Sequence, residues 1–438
     1  MRPFIVFAII LLAAGCFTHL DRLYEIRSDY YAGDMGMAHE RIEKYTRKWS
    51  RDADVLALDR ALVLLCEGKI AQAEQELRGV RDRFDALEGV HVVDGALAMV
   101  TDDQRLPYAG EDYEKILLRA FLTLTSLLGD GQDARAYALQ VADKQEQIIQ
   151  SEPEADGKNP RANYQRIALG AYLFGIEREA THVHYDDAVR AFQQVFDWEP
   201  DYEFAAQDLE RVSVGRHSAP GNGVVHIFTL VGRGPYKEEK VEIPTTVALL
   251  VADRVLSATG KHTLPPTVAP IKVPCVVMPP NEVDTVNITV DGAVWGETAT
   301  IADIGKLATQ QAEALHDYTL GRAIARRVIK KSVVYGVKDV VGAEGAASLL
   351  FDIGGVIWEA AESADTRCWG LLPAKIEVRR IELPAGEHTI GLQPITGSGS
   401  PCGARESARI EVRDGRNTYL LANFPSGRLV GRIMTNTP

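Results

Sequence analysis

The chain has 438 residues, 46% of them apolar and 25% charged, with a formal net charge of −13. That balance supplies apolar surface for two or three packed units and excludes a disordered chain. It also excludes the basic footprint that general nucleic-acid binding requires.

The first residues read as an export signal. Arg2 precedes an apolar run from Phe4 to Leu12, too short to span a bilayer but of the length of a signal-peptide core. Ala13-Ala14-Gly15-Cys16 follows and resembles the bacterial lipobox, in which cleavage leaves a lipidated cysteine as the first mature residue. On this reading residues 1–15 are a lipoprotein signal peptide and Cys16 is the lipidation site; the alternative is a chance cysteine behind an ordinary signal. Each acyl chain contributes about 0.8 kcal/mol per buried CH2, so two or three chains anchor firmly. Phe17 stands where an inner-membrane retention signal has Asp, which points to the outer membrane facing the periplasm.

Residues 16–214 read as a TPR-like α-helical repeat domain. Gly33-x-Met35, Ala38, Ile42 and Tyr45 align without a gap on Gly68-x-Ile70, Ala73, Leu77 and Val80, 35 residues later. A third copy places Gly129, Ala134, Ala138 and Val141 at matching steps, and a fourth places Tyr185, Ala188, Phe192, Val195 and Pro200. Small alanines let antiparallel helices approach, larger apolar residues fill the groove, and Gly or Pro closes each pair. Such arrays bury neighbour against neighbour and leave a concave surface for a partner. The later copies are 61 and 54 residues apart, so insertions interrupt the array.

Pro and Gly cluster at 215–223, which reads as a linker. Residues 224–438 then read as an antiparallel β-sandwich-like domain interrupted by a helical insertion at about 301–362, an α+β arrangement overall. The expected strands include "VVHIFTLV", "KVEIPTTVALLV", "IKVPCVVM", "TVNITVDG" and "RLVGRIM", with Asp414-Gly415 as a hairpin turn between two others. Arg322, Arg326 and Lys330 share one face of the insertion and either meet anionic lipid headgroups or pair with an acidic neighbour. Residues 345–361 are apolar enough for a buried helical hairpin, with membrane contact as the alternative. Cys66 reads as a core residue, whereas two of Cys275, Cys368 and Cys402 are candidates for a disulfide in an oxidising compartment.

Motifs for chemistry are missing: no HExxH, GxSxG, Walker loop, GxGxxG or CxxC occurs. His182 and His184 have no third ligand nearby in sequence. No catalytic residue, metal site or cofactor is therefore expected.

Two stretches, Pro107 to Ala138 and Ala364 to His388, resemble hallmark segments of a family of uncharacterised bacterial envelope lipoproteins that contain TPR repeats. The matched residues are Tyr108, Gly110, Glu111 and Tyr113, then Asp365, Arg367, Trp369, Pro373, Pro384, Gly386 and His388. The resemblance implies an envelope location and a helices-then-sheet order, with no established enzymatic activity. Asp365, Arg367 and Trp369 are candidates for a structural join or for a partner-binding spot. The combined expectation is a lipid-anchored scaffold that binds envelope proteins; the alternative is an envelope hydrolase or glycan-binding protein with its site in the β-rich half.

Overall fold

Between His19 and Ser213 the apolar spacing produces helices that pack each on the one before and the one after. They are α1 (His19–Tyr31), α2 (Met35–Lys48), α3 (Ala53–Cys66), α4 (Ile70–His91), α5 (Asp112–Leu128), α6 (Ala134–Ile149), α7 (Ala168–Glu179), α8 (Tyr185–Trp198) and α9 (Ala205–Ser213). The computed structural model describes residues 19–48, 50–91, 107–154, 157–258, 270–341 and 363–436. The signal segment, Cys16 and the 345–361 stretch lie outside the described residues, as does the side chain of Lys330. Gly33 and Gly68 adopt φ of +81° and +75°, the left-handed conformation that closes the α1–α2 and α3–α4 turns. Ala38, Ala73 and Ala188 are fully buried at the helix crossings.

The helices form two layers. α3, α5 and α7 are buried along most of their length, whereas α2 and α8 bury only one stripe and turn charged residues to water.

The remaining elements are β1 (Asn222–Val231), β2 (Tyr236–Glu242), α10 (Thr246–Ala258), β3 (Ile271–Val277), β4 (Thr285–Val290), β5 (Ala293–Glu297), β6 (Ala299–Asp303), α11 (Ile304–Val341), β7 (Lys375–Pro384), β8 (Gly386–Ile395), β9 (Glu406–Val412), β10 (Asn417–Phe424) and β11 (Met434–Thr435). They make a five-stranded sheet ordered β11-β10-β1-β7-β6, a four-stranded sheet ordered β5-β4-β8-β9, and a two-stranded ribbon of β2 and β3. Both helix and strand are thus well represented in this mixed α and β chain.

The five-stranded sheet is the middle layer. Phe228, Leu230, Ile376, Val378, Tyr419 and Leu421 face the inner helices, and Val225, Ile227, Ile381, Leu383, Leu420 and Ala422 face the four-stranded sheet. Strand alternation sends neighbouring residues to opposite faces, and here both faces are covered. One apolar cluster consequently joins the helices, from α1 onward, to the sheet without a break. A satellite cluster joins α10, α11 and β3, where the absent side chain of Gly321 lets α11 approach Val251 and the Ala248 carbonyl.

Four expectations are corrected. β1 and β10 pair in parallel, so the five-stranded sheet is mixed rather than antiparallel. That pair is buried on both faces, the environment that parallel strands require. "TTVALLV" is the start of α10, because its apolar residues meet α11 at helical spacing. Asp414-Gly415 turns the chain but makes no hairpin: β9 pairs with β8, and β10 with β1, so the turn passes the chain from one sheet to the other. Of "RLVGRIM" only Met434 enters a strand. The helix expected from about residue 301 starts at Ile304, after β6 has paired with β7. The described cysteines, Cys66, Cys275, Cys368 and Cys402, are free thiols.

Candidate functional site

Residues 363–374 form almost no regular structure, yet Thr366 to Leu372 are buried in a continuous run beneath the inner helices. A buried coil must satisfy each backbone polar group. Two carboxylates on apolar helices supply acceptors: Glu114 Oε1 accepts the Trp369 N–H at 2.7 Å, and Asp59 Oδ1 accepts the Leu371 N–H at 3.0 Å. Tyr108 donates its hydroxyl to Glu114, and the Glu111 N–H does so at 3.2 Å. Both carboxyls are fully buried, and burial raises the pKa of each, that of Asp59 to about 8.

Asp365, Arg367 and Trp369 lie within this crossing. Arg367 donates to both oxygens of Asp365, at 2.9 and 2.7 Å, and to the Arg51 carbonyl at 3.3 Å, and its guanidinium lies 5.4 Å from the centre of the Tyr108 ring. Burial opposes the Asp365 charge, but the Arg367 hydrogen bonds overcome it and hold the carboxyl below its usual range. Trp369 packs 5.3 Å from Phe121. Trp369 is 0% and Arg367 3% exposed, so what they touch is this chain itself. Asp59 and Glu114 escape motif reading, but a signal exists: Asp59 stands one helical turn from Val55 and from Val63, on a face that is otherwise apolar.

A cleft of about 450 Å³ opens between β3 and the first half of α11, beside the start of α5. His316 Nε2 lies 2.6 Å from Glu242 Oε2, Thr245 donates to Asp317 at 2.7 Å, and Lys237 pairs with Glu111. Partial burial disfavours the Glu242 charge, yet hydrogen bonds from Lys240 and His316 leave its pKa lowered. Gln311 lines the cleft at 5% exposure, and its side-chain carbonyl has no hydrogen-bond donor. No sequence motif marks these residues, because they come from three elements far apart along the chain.

A second opening, about 240 Å³, lies on the outside of the helical layer between α6, α7 and α8. Leu139, Ala142, Ala171, Phe174, Ala191 and Trp198 line it, with Asp187 and Arg190 at the same site.

Other expected features fall elsewhere. His182 hydrogen-bonds the Gly415 carbonyl at 2.7 Å and stands 4.6 Å from the His217 ring. Among the described residues no group of three or more His, Cys, Asp or Glu is arranged to hold a metal ion, and no helix is long and apolar enough to cross a membrane. Arg322 pairs with Glu154 at 2.5 Å. Comparisons with protein-family models, with curated proteins and with solved structures give no match.

Proposed function

We propose that the chain is a lipid-anchored scaffold or adaptor of the bacterial envelope, held by Cys16 to the outer membrane on its periplasmic side. It acts by surface complementarity in the assembly or regulation of an envelope complex. The helices constitute an irregular TPR-like array and the two facing sheets a sandwich-like support. The aligned buried alanines and the positive-φ glycines at Gly33 and Gly68 favour that description.

The observation that carries the reading is the coverage of the array's inner face. α3, α5 and α7, whose surface would otherwise be the concave binding face, pack on the five-stranded sheet and on Trp369. Partner binding is thereby assigned to the outer groove of α6–α8, where Leu139 is 42% exposed beside small Ala142. An apolar anchor from the partner fits a groove of this kind, and the surrounding charges set association rate and selectivity.

The hydrolase reading asks for a carboxyl of raised pKa at an open cleft. Asp59, Glu114, Asp208 and Glu377 are raised by burial, but each is at most 2% exposed. Half-buried Glu199 is raised too, and faces Lys306 across a slit of about 10 Å³. The scaffold reading is therefore preferred.

The test is crosslinking in living cells followed by identification of captured envelope proteins. Ala142→Trp fills the outer groove without touching the core, and Cys16→Ser removes the acyl acceptor. The expected result is one reproducible partner, lost with either substitution while the protein level is unchanged. Capture that survives Ala142→Trp would remove the groove from the reading, and release of wall fragments by the purified chain would replace the scaffold with the hydrolase.

A further inference from the structure

A two-stranded ribbon leaves two open edges. Among the described residues β2 and β3 pair only with each other. The backbone of Lys237 in β2 already meets the Cys368 sulfur, but on the outer side of β3 alternate N–H and C=O groups point away from the ladder, a template for another strand.

The 450 Å³ cleft follows the edge of β3. Four consecutive residues, Val273 to Val276, line it. A cavity lying against a strand's face touches every second residue, since side chains alternate; contact with four in a row places the edge itself in the cleft wall. Four strand residues rise about 13 Å, the reach of a short extended peptide. The opposite wall is α11, where Ala308 and Ala312, one helical turn apart, leave room for a chain. Pro274 has no N–H to give, which limits how far a strand can pair there and keeps the edge from serving as an unlimited sheet template.

Two further observations fix the occupant. Gln311, which lines this cleft and a neighbouring one beside Tyr164, has a buried carbonyl with no donor, and such an unmet acceptor is costly until an N–H reaches it. The rim is acidic: Glu242 stands at the ribbon wall and Glu313 and Asp317 on α11, and although Glu242 and Asp317 already meet His316 and Thr245, Glu313 has no ion pair among the described residues. Lys237 is already bound to Glu111.

We infer that this cleft takes an extended, lysine- or arginine-bearing segment of a protein partner. The segment adds as a third strand on the edge of β3, donates a backbone N–H to Gln311 and turns its cationic side chains to the Glu313 and Asp317 rim. This site is separate from the groove on α6–α8 and does not depend on it.

The test uses the full chain in detergent and three fluorescein-labelled six-residue peptides read by anisotropy. One alternates Val and Lys, one alternates Val and Glu, and one is the Val–Lys peptide with alternate backbone amides methylated. The Val–Lys peptide is expected to bind, and the other two about tenfold or more weakly, because one reverses the charge and the other cannot pair as a strand. Gln311→Leu and Glu313→Lys should each weaken the Val–Lys peptide by about five- to tenfold. Neither should lower the melting temperature, since Gln311→Leu removes an unmet polar atom and Glu313 is exposed. Ala142→Trp should bind all three peptides like the unmodified chain. Failure of the Val–Lys peptide to bind, equal binding of the methylated peptide, or unchanged affinity in both cleft variants overturns the proposal. So does a halving of the particle mass on adding peptide, which would assign the edge to a second copy of this chain.

Discussion

Asp59 shows what one side chain contributes when a helix carries a carboxyl on its apolar face. Held at a pKa of about 8 by burial, it keeps its proton at neutral pH and uses Oδ1 to accept from Leu371. The unfolded carboxyl titrates near pH 4. Below that value both states hold the proton and the contribution is flat. Between about pH 4 and pH 8 only the unfolded state releases it, so stability falls as pH rises, and the slope ends once the folded carboxyl also ionises. Urea unfolding at pH 5 and pH 8 should differ by roughly 2–4 kcal/mol from this residue. Asp59→Asn, which keeps the acceptor and cannot ionise, should abolish that part of the difference. An unchanged pH slope in the variant would refute the assignment. The sequence makes the anomaly visible, an acid one turn from Val55 and Val63, but not its purpose, because its partner lies 312 residues away.

Among the elements, the crossing at residues 363–374 is the one that sequence periodicity describes least. It alternates at neither the helical nor the strand period, and its burial follows from the carboxyls and aromatics that receive it. Trp369→Ala should lower stability by about 3–5 kcal/mol, the range for deleting a large buried aromatic side chain, as measured by chemical unfolding at pH 7. A loss under about 1 kcal/mol would mean that the join repacks without it. The regular elements are more legible in proportion to how locally they are determined. α3 and α5 declare themselves through their apolar spacing, and Ile410 and Val412 of β9 alternate with exposed Arg409 and Glu411. "TTVALLV" is ambiguous because β-branched and apolar residues suit a buried strand or a helix equally, and contact with Tyr318 and Ile324 of α11 decides for the helix. Asp414-Gly415 has the residues of a tight turn, but those residues do not specify whether the two strands it joins will pair.

The whole molecule is bound by a core that ignores the compositional boundary at 215–223. Phe228, Leu230, Trp369, Tyr419 and Leu421 belong to the same cluster as Leu62, Phe121 and Tyr172. Calorimetry of the full chain should therefore show one transition spanning both halves. Residues 16–214 alone should bind a hydrophobic dye and associate, since the inner faces of α3, α5 and α7 would be open to water; a monomeric, cooperatively melting fragment would contradict the shared core. A cluster of Pro and Gly marks the change of composition at 215–223, but which faces meet across it depends on pairings that no local pattern encodes. The parallel pairing of β1 with β10, in which Val224 meets Asn417, sets a schedule for the newborn chain. The centre of the five-stranded sheet cannot close until residue 424 has left the ribosome, and so distant a pairing forms slowly. The proposed envelope location would give this delay a use: a polypeptide passed through an export channel must stay slack on the way, and a sheet whose centre closes last would lock only on the far side.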